Sequence, residues 1–331
     1  FVRLIDKYGL RGAELEKPKT NEKKLVSLPK VDSLPRKGTK MAVYQATDGS
    51  IGIAWAQGVT VVTPMEAFGL ADLLDNASDI ILHDSKTMMH SLSDMGILLA
   101  GVCFDTALAA YDLNPSQSDY PVSKLATNFL GVTVDDNDAG GCAEAIWNLF
   151  PVLLNELDQQ GMKPLYFDIE LPLCSVLYGM EKEGIAIDKD QLTAFGRMLT
   201  NRITDCETLI FSYSGGPFNI NSPKQLGELL FEKMGLPPVK KTKTGYSTNA
   251  DVLEKLKDKH PIIPAIMDYR MLTKLNSTYA DGLMKAICED GRIRTTFQNL
   301  VTATGRLSST EPNLQNIPVR TDMGAEIRKM F

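Results

Sequence analysis

Between residues 38 and 165 the apolar residues come in short runs separated by polar breaks. Met41 to Ala46, Ile51 to Trp55 and Val59 to Thr63 are β-prone, and Asp48-Gly49-Ser50 between the first two is a hairpin signal. Ile80-Ile81-Leu82 and the apolar run from Gly96 to Phe104 predict further strands. Helical stretches lie near 64–75, 85–95, 104–112, 121–130 and 142–158. Strands that alternate with helices predict an α/β domain, a sheet covered by helices.

From 166 to 290 the pattern is mainly helical. Ile169 to Glu183 carries apolar residues at helical spacing and ends at Gly184, and Asp190 to Ser214 is closed by Gly215-Gly216-Pro217. Ser222-Pro223-Lys224-Gln225 fits a capping box, with Ser at the N-cap, Pro at the first helical position and Gln at the third, and opens a helix through Met234. Lys240 to Tyr246 is a basic turn region, after which Ser247 or Thr248 caps a short helix to Lys257. Pro264 to Ile287 predicts another long helix. Two long helices with a small basic tip between them suggest an arm that can swing. Residues 291–331 read as extended and then as a loop. Residues 1–37 are Lys-rich and broken by Pro18, Pro29 and Pro35, so they read as a linker or the tail of an upstream domain.

Composition bounds the class without deciding it. A chain of 331 residues, 44% hydrophobic and 23% charged, is globular and long enough for about two domains. No apolar run approaches the roughly 18 residues of a membrane span, and the chain shows no secretory signal pattern, so the expectation is a cytoplasmic protein with no membrane partner. The five cysteines are scattered without a Cys-x-x-Cys pair and read as reduced thiols; the three histidines do not combine with them at zinc spacing, so no metal site is expected. Charge changes the picture more. From residue 191 onward there are 19 Lys/Arg against 14 Asp/Glu, whereas residues 1–190 hold 16 against 27 and no arginine between Arg36 and Arg197. A surface that tracks phosphates needs cations, so the C-terminal half is the candidate for nucleic acid.

The run from Thr302 to Arg320, TATGRLSSTEPNLQNIPVR, has neither strand nor helix period and is dense in hydroxyls, amides and guanidinium on a backbone fixed by Gly305, Pro312 and Pro318. Such groups suit the reading of another polar polymer; the plain alternative is a polar surface loop with Arg306 paired to Glu311. The run resembles the entry to the palm of family A DNA polymerases of the bacterial polymerase I type. Pro217 to Leu226 (PFNINSPKQL) and Lys240 to Thr248 (KKTKTGYST) resemble the thumb of the same family, and Thr273 to Tyr279 (TKLNSTY) closes that arm. The resemblance runs from about 38 to 331 and is strongest from 217 onward.

The resemblance implies an exonuclease-like, ribonuclease H-like α/β domain over 38–165, a mainly helical thumb with its connecting helix over 166–290, and the start of a palm over 291–331. It implies that Arg306 reaches the minor groove near the primer terminus, where acceptors are common to every correct pair. Asn313, Gln315 and Asn316 match amides that contact primer and template. Asn219, Asn221, Ser222, Lys240, Lys241, Lys243, Ser247, Thr248, Lys274, Asn276 and Ser277 become duplex-backbone candidates, against a reading as ordinary helix caps and a solvated basic loop. One departure is Asn299, where the family more often has glutamine.

The front half departs further. A proofreading site needs about four clustered carboxylates around two metal ions. The first strand should supply Asp-x-Glu and has Tyr44-Gln45-Ala46-Thr47; the second motif has Met88 at its ligand position; the third is placed at Cys142 and Ile146. Asp84 and Asp105 are the carboxylates left to test. The expectation is an inactive 3′–5′ exonuclease fold serving as a buttress. The polymerase's own aspartate motifs, finger helix and His-Asp-Glu motif are not in these residues, so no catalytic residue is assigned. Primer–template duplex is the expected partner of a monomer. Deoxynucleotide and Mg²⁺ are expected only for the complete polymerase, which works in replication and repair. The alternatives are a non-catalytic DNA-binding or partner-docking module and a nuclease with unusual ligands.

Overall fold

The computed structural model describes residues 27–75, 77, 79–99, 101–242, 245–318 and 321–331. Two compact units emerge, one comprising Phe1–Gly179 with Asn299–Leu307, the other Met180–Gln298 with Ser308–Phe331. The expected linker over 1–37 lies mostly outside the described residues; Lys30 bridges to Val59.

The first unit is built on five strands, β1 (Met41–Gln45), β2 (Ile51–Trp55), β3 (Gly58–Val62), β4 (Ile80–Leu82) and β5 (Val102–Asp105), in the order β3-β2-β1-β4-β5. The first three form an antiparallel meander, and β4 and β5 run parallel to β1. Alternation along the strands sorts the side chains onto two faces. Met41, Val43, Ile51, Ile53, Trp55, Ile80 and Leu82 enter one core with Leu70, Leu74, Met88 and Leu92 from the short helical stretch 67–74 and the helix Ser85–Asp94. Ala42, Ala54, Ile81 and Phe104 enter the other, covered by Thr106–Leu113, by 122–130 and by the 21-residue helix Ala139–Gln159. That helix approaches β2 so closely that a Cβ on Gly52 would lie 1.9 Å from Ala139 O, so only glycine fits there.

The second unit carries two cores strung along two long helices. Lys189–Ser214 starts at Asp188, whose carboxylate accepts from Asp190 N (3.0 Å) and Gln191 N (2.9 Å), and ends at Gly215 in the left-handed region. It packs against Ile262–Leu275. Leu192, Phe195 and Leu199 join Leu272, Leu275 and Tyr279 in one core; Ile210 joins Ile262, Ile266 and Tyr269 in the other, with Leu226, Leu230, Val252 and Leu253. The helical path from Ile262 continues through 276–280 to Ala286.

Three expectations need correction. Asn249, not Ser247 or Thr248, caps the helix Ala250–Leu256, its Oδ1 accepting from Val252 N (3.1 Å). The capping-box glutamine reaches further back than expected: Gln225 Oε1 accepts from Asn219 N (2.9 Å), because Ser222 N already donates to Asn219 O (3.0 Å). The segment 291–331 is more structured than a loop. Arg292–Ile293 pairs with Ile185–Ala186, Thr296–Gln298 pairs with Ser308–Thr310, and Asp322–Arg328 is helical, capped by Thr321. Short strands whose partners are distant in sequence leave no local signal.

Candidate nucleic-acid interface

Two helix starts and a hairpin surround a groove of about 1010 Å³ in the second unit. One wall is Asn221, Ser222, Pro223 and Lys224, where Ser222 caps its helix by accepting from Gln225 N (3.4 Å). The other is Gly245 to Asn249, where Asn249 caps the next helix. Free backbone N–H groups and dipole ends at such starts favour anionic groups. Arg270 also lines the groove, and burial holds its guanidinium below its ordinary pKa. It donates to both Thr248 O and Thr248 Oγ1, fixing the chain just before the Asn249 cap.

The sequence candidates divide as follows. Asn221, Ser222, Ser247 and Thr248 come together in this groove. Thr248 is only 5% exposed and its oxygens are spent on Arg270, so its role in the groove is structural. Asn221 Nδ2 donates to Tyr269 OH (3.4 Å), and Asn219 Oδ1 accepts from Asn221 N (3.0 Å), which holds the approach to Ser222. Lys240 is exposed and its carbonyl accepts from Ser247 N (3.0 Å). Lys241 pairs with Tyr246 in the hairpin Lys241–Thr242/Gly245–Tyr246, and Lys243 lies outside the described residues. Lys274 follows Arg270 by one helical turn, so the two share a face. Beside it, Ser277 donates to Lys274 O (3.3 Å) and Asn276 Nδ2 donates to Asp281 Oδ2 (3.3 Å).

Asn313, Gln315 and Asn316 are exposed on one short helical turn, which Asn313 caps by accepting from Gln315 N (3.0 Å). Tyr279 is buried and donates to Asn316 O, which pins that turn to the long helix. Ser309, in the same hydroxyl-dense run, is 0% exposed. Its hydroxyl bonds Thr295 Oγ1 (2.7 Å), donates to Pro312 O (3.3 Å) and accepts from Leu314 N (3.1 Å), so it stabilises the loop from inside. Arg306 belongs to the first unit, is exposed and forms no ion pair among the described residues.

The comparisons with known proteins decide the family. The DNA polymerase family A model matches residues 189–331, which include the groove and the Arg306 run. DNA polymerase I of Bacillus subtilis is 44% identical over 269 residues, covering 75% of this chain and 31% of that protein. DNA polymerase I of Geobacillus stearothermophilus is 38% identical over all of this chain and 41% of its own length. The chain belongs to DNA polymerase family A. A solved POL domain of Pol1 from M. smegmatis, in complex with DNA primer-template and dNTP, superposes with a TM-score of 0.76 at 36% identity, over 88% of this chain and 54% of that one. The chain thus spans 31–41% of the length of these curated relatives.

The positions expected from the sequence to stand at a proofreading metal site lie in the first unit. Tyr44 is half-buried and donates to Asp136 O (3.0 Å); Cys142 is buried and its Sγ donates to Asp135 O (3.3 Å). Burial first, then nearby negative charge, pushes both acids up to about 12, so neither ionises near neutrality. Met88 sits in the core on one face of the sheet and Ile146 in the core on the other. Asp105 accepts from Asp84 N (3.1 Å), Ser85 N (2.6 Å), Ala107 N (2.9 Å) and Leu108 N (3.2 Å), and Asp84 caps Ser85–Asp94. Both carboxylates are thereby engaged in helix starts. Among the described residues no group of three or more His, Cys, Asp or Glu is placed to hold a metal ion, and no helix is long and apolar enough to cross a membrane.

Arg270, like Lys224, Glu228, Glu232 and Asn249, lines the groove without having been a sequence candidate. Its signal was weak: a lone arginine on a predicted helix, four residues before Lys274.

Proposed function

We propose that this chain is the primer–template-gripping part of a DNA-directed DNA polymerase acting in replication and repair, and that the metal-bound chemistry of synthesis is carried by residues other than these 331. The groove of the second unit carries the reading. Two helix starts, Lys224 and Arg270 line one channel together with Glu228 and Glu232, and the helix starts and the two cations suit successive phosphates of a duplex backbone. Lys274 and the amides of 313–316 extend the set with groups fit for phosphate and base-edge contact. The M. smegmatis relative, solved with DNA primer-template and dNTP, supports duplex as the partner. Arg306 is assigned the minor-groove contact, because an exposed guanidinium without a carboxylate partner is free to donate to acceptors common to all pairs.

On this reading the second unit is a thumb leading into the start of a palm, and the first is a 3′–5′ exonuclease-like domain. The strand order β3-β2-β1-β4-β5, antiparallel then parallel, supports a ribonuclease H-like sheet. The expected ligand positions do not fit a Mg²⁺ pair: Met88 and Ile146 lie in cores on opposite faces of the sheet, and Tyr44 and Cys142 offer a neutral phenol and a thiol where a hard cation takes charged oxygens. The domain therefore acts as a buttress. Mg²⁺ and deoxynucleotide belong to the complete polymerase.

Fluorescence anisotropy with a primer–template duplex at rising salt tests the assignment. Log K should fall linearly with log salt, with a slope of about −0.9 per phosphate neutralised. Affinity insensitive to salt would overturn it. Degradation of 3′ ends that depends on Mg²⁺ or Mn²⁺ and disappears on changing Asp84 would favour the nuclease reading instead.

A further inference from the structure

Residues 299–307, which carry Arg306, are seated within the first unit by contacts that DNA binding does not explain. Tyr111, near the end of Thr106–Leu113, donates from its hydroxyl to Thr302 O (2.8 Å). The same carbonyl accepts from Gly305 N (3.4 Å), with Gly305 at φ +73°, and Thr302 Oγ1 donates to Arg306 O. The turn that presents Arg306 therefore closes on the atom that Tyr111 holds. At the start of the segment, Asn299 Nδ2 donates to Cys174 Sγ (3.5 Å), and Leu300 packs into the neighbouring core.

The two elements that hold this segment also carry a pair of carboxyl groups. Asp112 follows Tyr111, and Glu170 lies one turn before Cys174, whose Sγ donates to Glu170 O (3.6 Å). Thr106–Leu113 packs against 166–170, and Tyr166 OH ties them further through Asp105 N (2.6 Å) and Asp105 O (3.0 Å). Asp112 is 9% exposed, and its Oδ2 has no hydrogen-bond partner among the described residues.

We propose that Tyr111 positions the Arg306 turn through Thr302 and that the Asp112–Glu170 carboxyl pair controls how firmly it does so. The consequence for DNA rests on the reading that Arg306 meets the duplex. Desolvation first, and then the charge of Glu170, push Asp112 up to about 7; burial raises Glu170 as well. Tyr111, Tyr166 and Cys174, the other titratable groups interacting with the pair, are themselves raised and stay neutral. A raised carboxyl binds its proton more tightly in the folded state. Its contribution is therefore fully present below the ordinary carboxylate value and is lost as pH rises through about 7. Above that, two like charges push apart the elements that clamp the turn.

The test uses the full chain and two readouts: amide exchange of residues 299–307 without DNA, and anisotropy with a primer–template duplex. Tyr111→Phe should speed exchange in the turn and weaken duplex binding by about three- to tenfold, the worth of one lost hydrogen bond. Between about pH 6 and 8, wild-type turn protection should fall relative to Asp112→Asn, a neutral isostere that should show no such step. Unchanged turn exchange in Tyr111→Phe, or a pH step retained by Asp112→Asn, overturns the proposal. Arg306→Ala separates the two readings. If it binds duplex as wild type does while the exchange results hold, the latch stands and the DNA-contact assignment fails; if it weakens binding while exchange is unmoved, the reverse is true.

Discussion

The sheet centre of the first unit and the groove of the second place their side chains in opposite ways. Around Tyr44, Met88, Cys142 and Ile146 the first unit has its sheet, its covering helices and two helix-capping aspartates, and these four side chains pack. In the groove the polar residues remain at the helix starts, facing open volume. The contrast teaches that residues which hold the backbone and residues open to a ligand can be separate sets. Asp105 and Asp84 have work in helix starts whether or not a metal binds; a ligand carboxylate without a metal has only a desolvation cost to contribute.

The sharpest way to break the contrast is to place a carboxylate in the buried core of the first unit. Ile146 is 0% exposed in the larger core. Ile146→Asp removes apolar packing and buries an acid, and should destabilise the chain by about 3–5 kcal/mol, seen as a clear drop in thermal or denaturant midpoint. No nuclease activity should appear. A variant that melts like wild type and degrades 3′ ends with Mg²⁺ would mean that the centre is still a metal site lacking one ligand.

Part of the fold was legible from the sequence. The expectation at Met88 and Ile146 rested on residue type, since a thioether and a branched alkyl group cannot bind a hard cation. The strands β1 to β3 announce themselves by β-prone runs and the Asp48-Gly49-Ser50 turn, and the two long helices of the second unit by period and by their glycine ends. Three things were hidden. The Asn249 cap directly follows two equally good hydroxyl candidates, Ser247 and Thr248, and only the backbone path chooses among them. The interior role of Ser309 depends on Thr295, Pro312 and Leu314 closing around it. The brace from Arg270 to Thr248 spans 22 residues, beyond any local pattern.

That brace gives a smaller but more discriminating test on the groove side. Arg270→Ala leaves the buried oxygens of Thr248 without their donor, which should cost about 1–3 kcal/mol of stability. It also removes a cation from the groove, so duplex affinity should fall together with the salt slope. Arg270→Lys keeps the charge but not the planar fork that reaches two acceptors. If the guanidinium acts by fixing the Asn249 helix start, the lysine variant should lose stability and affinity as alanine does, with the salt slope nearer to wild type. Full recovery of stability by lysine would show that charge alone suffices.

The smallest expected effect separates capping from contact at Ser222. As a cap, its hydroxyl accepts from Gln225 N, and Ser222→Ala should cost about 1 kcal/mol. Asn249→Ala at the facing helix start should cost a similar amount, since its Oδ1 does the same for Val252 N. If capping were the whole role of these residues, duplex affinity would stay the same wherever the variants remain folded. If the helix starts bind phosphates, each variant should also weaken duplex binding well below its melting temperature, because a frayed first turn no longer aims its N–H groups into the groove. Ser222→Asp sharpens the distinction: it preserves the cap and suits the helix dipole, yet sets a negative charge against the incoming phosphate. A more stable chain that binds duplex less tightly would fix the groove as a phosphate site, while unchanged affinity would return both serine and asparagine to a purely structural role.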